Sequence, residues 1–224
     1  MVKPRGWHHR GYLPHCDASN TIQAITYRFA DSLPCDVLRK YQREVEAEPD
    51  DQRQETLRQR IEAFLDAGHG SCLLREPDIA KMVIAAWQHF DGDRYDLHAW
   101  VVMPNHVHVL CGPRTGHSLS SIINSWKSFT ARSINRHLER SGSLWMEDYW
   151  DRFIRDEEHY YRAIDYILEN PVKSGLAADK NTWPWSSACR SQEGSLEMRP
   201  GEPRSERHSD HASGNASPSR IAPT

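Results

Sequence analysis

Two histidines one residue apart, His106 and His108, stand in the stretch His-Ala-Trp-Val-Val-Met-Pro-Asn-His-Val-His-Val-Leu at 98–110. On a strand successive side chains alternate between faces, so the pair shares one face while Val107 and Val109 point into a core. Imidazoles placed this way can bind one metal ion together. They are equally two polar groups on a half-exposed strand face, in a chain that holds 13 histidines. A metal site needs a third ligand and, for catalysis, a reactive group.

Both are on offer in the stretch Ile-Asp-Tyr-Ile-Leu-Glu-Asn at 164–170. On a helix Tyr166 and Asn170 lie four apart, so a phenol and an amide oxygen project from one face. Two imidazoles and an amide oxygen with open positions suit Mg²⁺ or Mn²⁺ engaged with a phosphate, and Zn²⁺ is a further occupant. Such an ion could polarise a phosphodiester while a tyrosine attacks phosphorus. A free phenol has a pKa of about 10, so the attack needs a cation or a base nearby. Spacing leaves alternatives open: Tyr161 and Asp165 have the same offset, and Glu169 is a more usual ligand than an amide.

These residues need a hairpin and a helix to bring them together. Residues 98–110 read as strand, Met-Pro-Asn turn and strand. Residues 21–30 alternate, with Ile25, Tyr27 and Phe29 on one face. Helical spacing links Ile79, Met82, Val83, Ala86 and Trp87 after Glu76-Pro77-Asp78. Ser118 caps a helix to about residue 140, with Leu119, Ile122, Ile123, Trp126, Phe129 and Leu138 on its buried side. Ser128, Arg132, Arg136 and Arg140 recur every fourth residue on it. That stripe is a solvated helix back or, beside a metal site that handles phosphate, a backbone-binding rail. Asp156 starts the tyrosine helix, and Pro171 is expected to stop it at about Asn170.

Around this frame, residues 1–20 read as an irregular basic arm, and 144–154 as aromatic and extended. Residues 35–67 read as a charged helical hairpin broken at Pro49-Asp50-Asp51. Its acidic run (Glu44, Glu46, Glu48, Asp50, Asp51, Glu55) reads as a solvated helix face. Trp183-Pro184-Trp185-Ser186-Ser187 looks like a packed terminal loop. From about residue 191 apolar side chains almost vanish, and the tail 191–224 is expected to be disordered. The fold class expected is α+β, one antiparallel sheet covered by helices, in a single domain over 1–190.

Composition narrows the function classes. A mean hydropathy of -0.76 and the lack of any apolar run near ~18–20 residues exclude a membrane span. The N-terminus carries charge without a following apolar core, so no secretory signal is expected. Five widely spaced cysteines with no Cys-x-x-Cys argue against a disulfide scaffold and fit a reducing cytosol. A net charge of -3 weakens a nucleic-acid partner without excluding it.

The stretch Trp-Val-Val-Met-Pro-Asn-His-Val-His-Val-Leu at 100–110 resembles the HUH signature of single-tyrosine transposases. The blocks Arg-Asp-Glu-Glu-His at 155–159 and Tyr-Ile-Leu-Glu-Asn-Pro-Val-Lys-Ser-Gly-Leu at 166–176 resemble the tyrosine helix of REP-associated tyrosine transposases. Segments 10–15 and 183–187 are also similar to that group, so the likeness spans roughly 5–190. It implies a ferredoxin-like HUH fold with a helical insertion at 35–67 after the first strand. It further implies a metal-dependent single-stranded DNA endonuclease and strand transferase working through a 5′-phosphotyrosine on hairpin DNA of REP-like palindromes. By the same resemblance Tyr166 is the nucleophile, and His106, His108 and Asn170 hold Mg²⁺ or Mn²⁺; Arg132, Arg136, Lys127, Lys173 and Arg155 are separately candidate DNA contacts. The insertion and the tail are expected to leave the motif residues untouched. The expected state is a monomer or homodimer in the cytoplasm, associated with the nucleoid. Two competing readings are a domesticated hairpin-binding protein that does not cut, and an unrelated metalloenzyme with a small substrate.

Overall fold

Alternating Val and His on one strand, and Ile25, Tyr27 and Phe29 on another, give two ribbons that each bury an apolar face. In the computed structural model, which describes residues 6–10, 13–17 and 21–190, these ribbons are the middle of a four-stranded antiparallel sheet. The chain begins with β1 (Gly6–Arg10), β2 (Leu13–Asp17), β3 (Gln23–Arg28), α1 (Cys35–Val45), α2 (Asp50–Asp66) and α3 (Pro77–Gln88). It continues through β4 (Tyr95–Val102), β5 (His106–Pro113), α4 (Leu119–His137), β6 (Trp150–Phe153), α5 (Glu157–Lys173) and a short α6 (Ser187–Arg190). The sheet order is β4-β5-β3-β6, while β1 and β2 form a separate antiparallel pair. With α1 and α2 set aside, the succession β3-α3-β4-β5-α4-β6 is a β-α-β-β-α-β unit.

The two sheet faces are covered by different helices. Tyr27, Phe29, Val107 and Val109 pack with Ile79, Val83 and Trp87 of α3 and Ile122, Ile123 and Trp126 of α4. Buried polar tips on this side are satisfied, since Trp87 Nε1 donates to the Tyr27 hydroxyl at 2.9 Å and Trp126 Nε1 to the Tyr95 hydroxyl at 2.8 Å. On the opposite face Ala99, Val101 and Leu110 meet Ile164, Ile167 and Leu168 of α5. Each such aliphatic side chain contributes roughly 1.5–3 kcal/mol when fully buried. The register sets Thr26 opposite His108 and Arg28 opposite His106, so both histidines fall on the α5 face.

The α1–α2 hairpin has its own apolar cluster of Leu33, Val45, Leu57, Ile61 and Leu65, with Trp150 against it. Its exit is bolted to the loop after β3. A Cβ on Gly70 would come within 2.7 Å of the Asp31 carbonyl oxygen, and φ there is +79°, a backbone that only glycine adopts without strain. Ser71 donates through N and Oγ to the Asp31 carboxylate, at 3.0 Å each.

Several expectations need correction. Residues within 1–20 are not all irregular, because β1 and β2 pair from Gly6↔Asp17 to Arg10↔Leu13. Phe129 is 49% exposed; its place on α4 lies beyond the stripe that meets the sheet. The tyrosine helix runs through Pro171 to Lys173. Proline so close to a helix end forfeits one backbone bond, and the end is closed by Leu176 N on the Pro171 carbonyl at 2.8 Å. Segment 183–187 packs along β4, with Val102 N donating to Trp185 O at 2.8 Å and Trp183 Nε1 to Val102 O at 3.0 Å. The expected disorder of 191–224 lies outside the described residues, and Cys35, Cys72, Cys111 and Cys189 are free.

Candidate active site

The turn between β4 and β5 fixes the first histidine. Asn105 is fully buried, and its Nδ2 donates to the carbonyls of His69 at 2.7 Å and Leu65 at 3.1 Å. Both amide hydrogens are thereby used, so Oδ1 faces His106 Nδ1 at 2.7 Å as an acceptor. The His106 proton must sit on Nδ1, which leaves Nε2 a bare lone pair. His108 is tied by its Nδ1 to Thr26 Oγ1 at 2.7 Å, across the β3–β5 ladder. Its Nε2 then stands 3.1 Å from Nε2 of His106.

Neither ring carries charge. Burial, then the neighbouring His108, holds His106 well below the ordinary imidazole value. Burial, then the Arg58 guanidinium, takes His108 down to about 3. The sequence placed this pair on an accessible strand face. The structure corrects this, since His106 is 0% and His108 2% exposed, beneath α5 and α2.

Asn170 comes from α5 and is 1% exposed. Its Nδ2 lies 3.4 Å from His108 Nε2, and its Oδ1 is buried without a hydrogen-bond partner. Exchanging amide oxygen and nitrogen by a half-turn would aim the oxygen at the imidazoles. Asp66, the last residue of α2, sets Oδ1 3.5 Å from His106 Nε2, and this oxygen is also buried without a hydrogen-bond partner. Burial, then Glu62, raises Asp66 to about 6.

With the two Nε2 atoms turned toward each other, and with Asn170 Oδ1 once turned and Asp66 Oδ1 lacking partners, a cation placed among them would engage all of these groups. The 3.1 Å gap between the two Nε2 atoms is close to the separation of adjacent ligands on an ion with bonds of about 2.1 Å. Histidine, cysteine and carboxylate groups alone do not close a metal cluster among the described residues. The fit therefore rests on His106, His108 and the Asn170 amide, with the Asp66 carboxylate beside them.

Tyr166 lies one turn before Asn170, with its ring edge-on to His108 at 5.6 Å between centroids. The Lys173 ammonium is 5.0 Å from the tyrosine ring centroid. Glu62 of α2 lines the same pocket as Tyr166. Burial, then Glu62, pushes this phenol well above its ordinary pKa. Tyr161, the alternative, is 46% exposed, and Asp165 is exposed as well. Glu169 pairs with Lys180 at 3.2 Å instead of facing the histidines.

Tyr166 and His108 open on a pocket of about 440 Å³, which Arg58, Arg152, Arg155 and Arg162 also line. Arg155 was expected near the site. The other three arginines, with Glu62 and Asp66, were missed. Positions 58, 62 and 66 recur every fourth residue beside the buried Leu57, Ile61 and Leu65, and that flanking charged stripe was the available signal. The expectation that the insertion leaves the motif residues untouched is corrected: α2 meets His106 through Asp66 and lines the Tyr166 pocket through Glu62. Its acidic run is solvated only in part, since Glu55 binds Arg58 at 2.5 Å and Arg152 at 3.7 Å. Arg132, Arg136 and Lys127 sit on α4, which covers the face opposite the histidines, so they do not adjoin the site. Lys127 Nζ donates to the Glu147 carbonyl at 2.6 Å.

Residues 78–168 match the profile of the family described as Transposase IS200 like. That stretch is similar to the IS200-like transposase family. The matched stretch holds His106, His108 and Tyr166 and stops short of Asn170. A REP-associated tyrosine transposase of Escherichia coli is 30% identical over 97 residues, which is 43% of this chain and 56% of that protein. A Haemophilus influenzae protein assigned to the same group is 28% identical over 106 residues, covering 60% of its length. The chain thus spans somewhat more than half the length of the curated relatives it matches. A solved REP-associated tyrosine transposase bound to a REP hairpin superposes with a TM-score of 0.54 at 20% identity, covering 83% of this chain and 85% of that one. That likeness speaks for the α+β fold alone. Among the described residues no helix is long and apolar enough to cross a membrane.

Proposed function

We propose that the chain is a metal-dependent single-stranded DNA endonuclease and strand transferase that acts on hairpin DNA through a 5′-phosphotyrosine on Tyr166. The reading takes the β-α-β-β-α-β unit as a ferredoxin-like HUH fold into which α1 and α2 are inserted. One observation carries it: two neutral histidines turn their Nε2 atoms toward each other at 3.1 Å beside a tyrosine that opens on an arginine-lined pocket.

His106, His108 and Asn170, with Asp66 alongside, would hold Mg²⁺ or Mn²⁺. A bound ion of this kind supplies positive charge that polarises a phosphodiester and steadies the departing oxygen. The remaining work falls to side chains. Arg58, Arg152, Arg155 and Arg162 draw the DNA backbone into the pocket by charge and orient it. The packing of Ile164, Ile167 and Leu168 on the sheet fixes α5, so Tyr166 is presented at constant depth. Attack by the Tyr166 oxygen breaks the bond to the 3′ oxygen and stores the phosphodiester on the protein, so rejoining needs no nucleotide cofactor. A cytoplasmic location on the nucleoid goes with this reading.

The test is to incubate the chain with labelled single-stranded hairpin DNA and Mg²⁺ or Mn²⁺, then denature. A covalent protein–DNA band is expected. Binding without such a band would support the hairpin-binding alternative, and neither outcome would leave an unrelated metalloenzyme.

A further inference from the structure

We infer that Asp66, the last residue of the inserted helix α2, binds the metal ion directly, so that the ion fastens the inserted hairpin to the catalytic sheet. The inference rests on the metal-site reading above. It adds one anionic ligand from outside residues 78–168, the stretch that resembles IS200-like transposases. Three separations support it. The Nε2 atoms of His106 and His108 are 3.1 Å apart, Asp66 Oδ1 is 3.5 Å from His106 Nε2, and the Asn170 amide is 3.4 Å from His108 Nε2. Adjacent ligands on one ion with bonds of about 2.1 Å stand about 3.0–3.4 Å apart, from octahedral to tetrahedral arrangement. Four groups from one strand and two helices thus converge close to the spacing of a single ligand set.

The way Asp66 points is a second observation. Its side chain is 25% exposed, so water is within its reach, yet Oδ1 is buried and makes no hydrogen bond. A carboxylate kept only for solubility would turn that oxygen out to water. The backbone holds it inward. Asn105 Nδ2 donates to the carbonyls of Leu65 at 3.1 Å and His69 at 2.7 Å, on either side of Asp66. Oδ1 of the same asparagine faces His106 Nδ1 at 2.7 Å. One side chain therefore places two of the ligands, and Ile61 and Leu65 bury the adjoining turn of α2.

A carboxylate also changes the character of the set. Two imidazoles and an amide are neutral, and imidazole suits Zn²⁺ well, whereas hard divalent cations favour charged oxygen. Asp66 tilts the site toward Mg²⁺ and Mn²⁺. It also gives the insertion a part in the chemistry, since a chain without its ion lacks one of the ties between α2 and β5.

The experiment titrates Mn²⁺ and Zn²⁺ into the full metal-free chain by calorimetry, and follows hydrogen exchange of α2 by mass spectrometry with and without Mn²⁺. Wild type should bind Mn²⁺ and, on binding, slow exchange in the last turn of α2. Asp66→Ala should weaken Mn²⁺ by more than 100-fold, past the roughly 10–100-fold cost of a residue that only supports a ligand. Zn²⁺ should weaken less, a difference that a merely structural role would not produce, and Mn²⁺ should no longer slow exchange at α2. Asp66→Asn keeps the shape and one oxygen without the charge; it should fall between the two and serves if the Ala variant does not fold. Wild-type Mn²⁺ affinity in either variant, or an equal fall for both metals, overturns Asp66 as a ligand and leaves the histidine site standing. If neither metal binds the wild-type chain, the inference falls together with the metal-site reading.

Discussion

The side-chain oxygen of Asn105 accepts the Nδ1 proton of His106 at 2.7 Å, and the two amide hydrogens that hold it there go to the backbone around the end of α2. The turn, the insertion and the imidazole tautomer are one linked unit. Asn105→Ala would free His106 to protonate at Nε2 and leave the Leu65 and His69 carbonyls without this donor. Mn²⁺ affinity should fall by about 10–100-fold, read by isothermal titration. Wild-type affinity in this variant would mean that the tautomer is set elsewhere.

Tyr166→Phe should abolish covalent attachment and spare hairpin binding. Only the hydroxyl is lost, and the ring keeps its contacts with His108 and Lys173. Denaturing gels read attachment and anisotropy reads binding. A surviving adduct would transfer the role to another tyrosine, with the exposed Tyr161 the first to examine.

The three proposed ligands should fail differently. His106→Ala or His108→Ala removes a nitrogen ligand and should abolish cleavage at any practical metal concentration. Because both rings are buried, each change should also lower stability by about 1–3 kcal/mol, through an unsatisfied Asn105 or Thr26. Asn170→Ala removes a neutral oxygen that water partly replaces, so cleavage should recover in part at high Mn²⁺. Asn170→Asp adds charge that should tighten metal binding and repel phosphate. Mn²⁺ titrations of cleavage and of melting temperature separate the cases. An Asn170→Ala variant with wild-type metal affinity would remove Asn170 from the set and bring Asp66 forward.

Much of this arrangement is legible in the sequence because it is local. The period-2 alternation around His106 and the four-residue offset of Tyr166 and Asn170 need only one strand and one helix. The share of α2 is not legible, because Glu62 shares a pocket with a tyrosine 104 residues later through tertiary packing that leaves no local signature. Burial of the histidines escaped for the same reason. Period 2 says which side chains share a face and is silent on what covers it. Pro171 misled because the rule for proline describes helix interiors, and the last turn tolerates what the middle does not.

Two sets of arginines should behave differently toward salt. Replacing Arg152 and Arg155, which line the Tyr166 pocket, should weaken hairpin binding. It should also reduce the slope of log K against log salt by roughly 0.7–0.9 per lost phosphate contact. Replacing Arg132 and Arg136 on α4 tests whether bound DNA wraps onto the far side of the sheet. With the pocket as the main contact, their effect should be the smaller. A larger effect from the α4 pair would relocate the DNA path.

Acid should destabilise the metal-free chain. The folded pKa values of His106 and His108 lie below the ordinary 6.5, so below that pH the unfolded chain binds protons that the folded chain refuses. Stability then falls with pH by up to about 1.4 kcal/mol per unit for each histidine. Asp66, raised to about 6, acts in the opposite sense. Between that value and the ordinary carboxylate range the folded chain keeps a proton that the unfolded one has lost, and Glu62, also raised, adds to this. Asp66→Asn removes part of the offset. Urea titrations from about pH 7 to about pH 4 should therefore show the variant losing stability more steeply than wild type. Equal slopes would mean that Asp66 titrates normally in the folded chain.

The segment that runs beside β4 has a meaning apart from the reaction. The Ser187 hydroxyl, the Trp185 carbonyl and the Trp183 indole occupy hydrogen-bonding positions of Trp100 and Val102, where the sheet would otherwise present an open ladder to other molecules. A chain ending before Trp183 keeps every group proposed for chemistry, yet exposes a flat apolar ribbon that a second copy could pair with. Its fault would be self-association. Fusion or truncation points for soluble protein therefore belong after residue 190, however small the catalytic part is made.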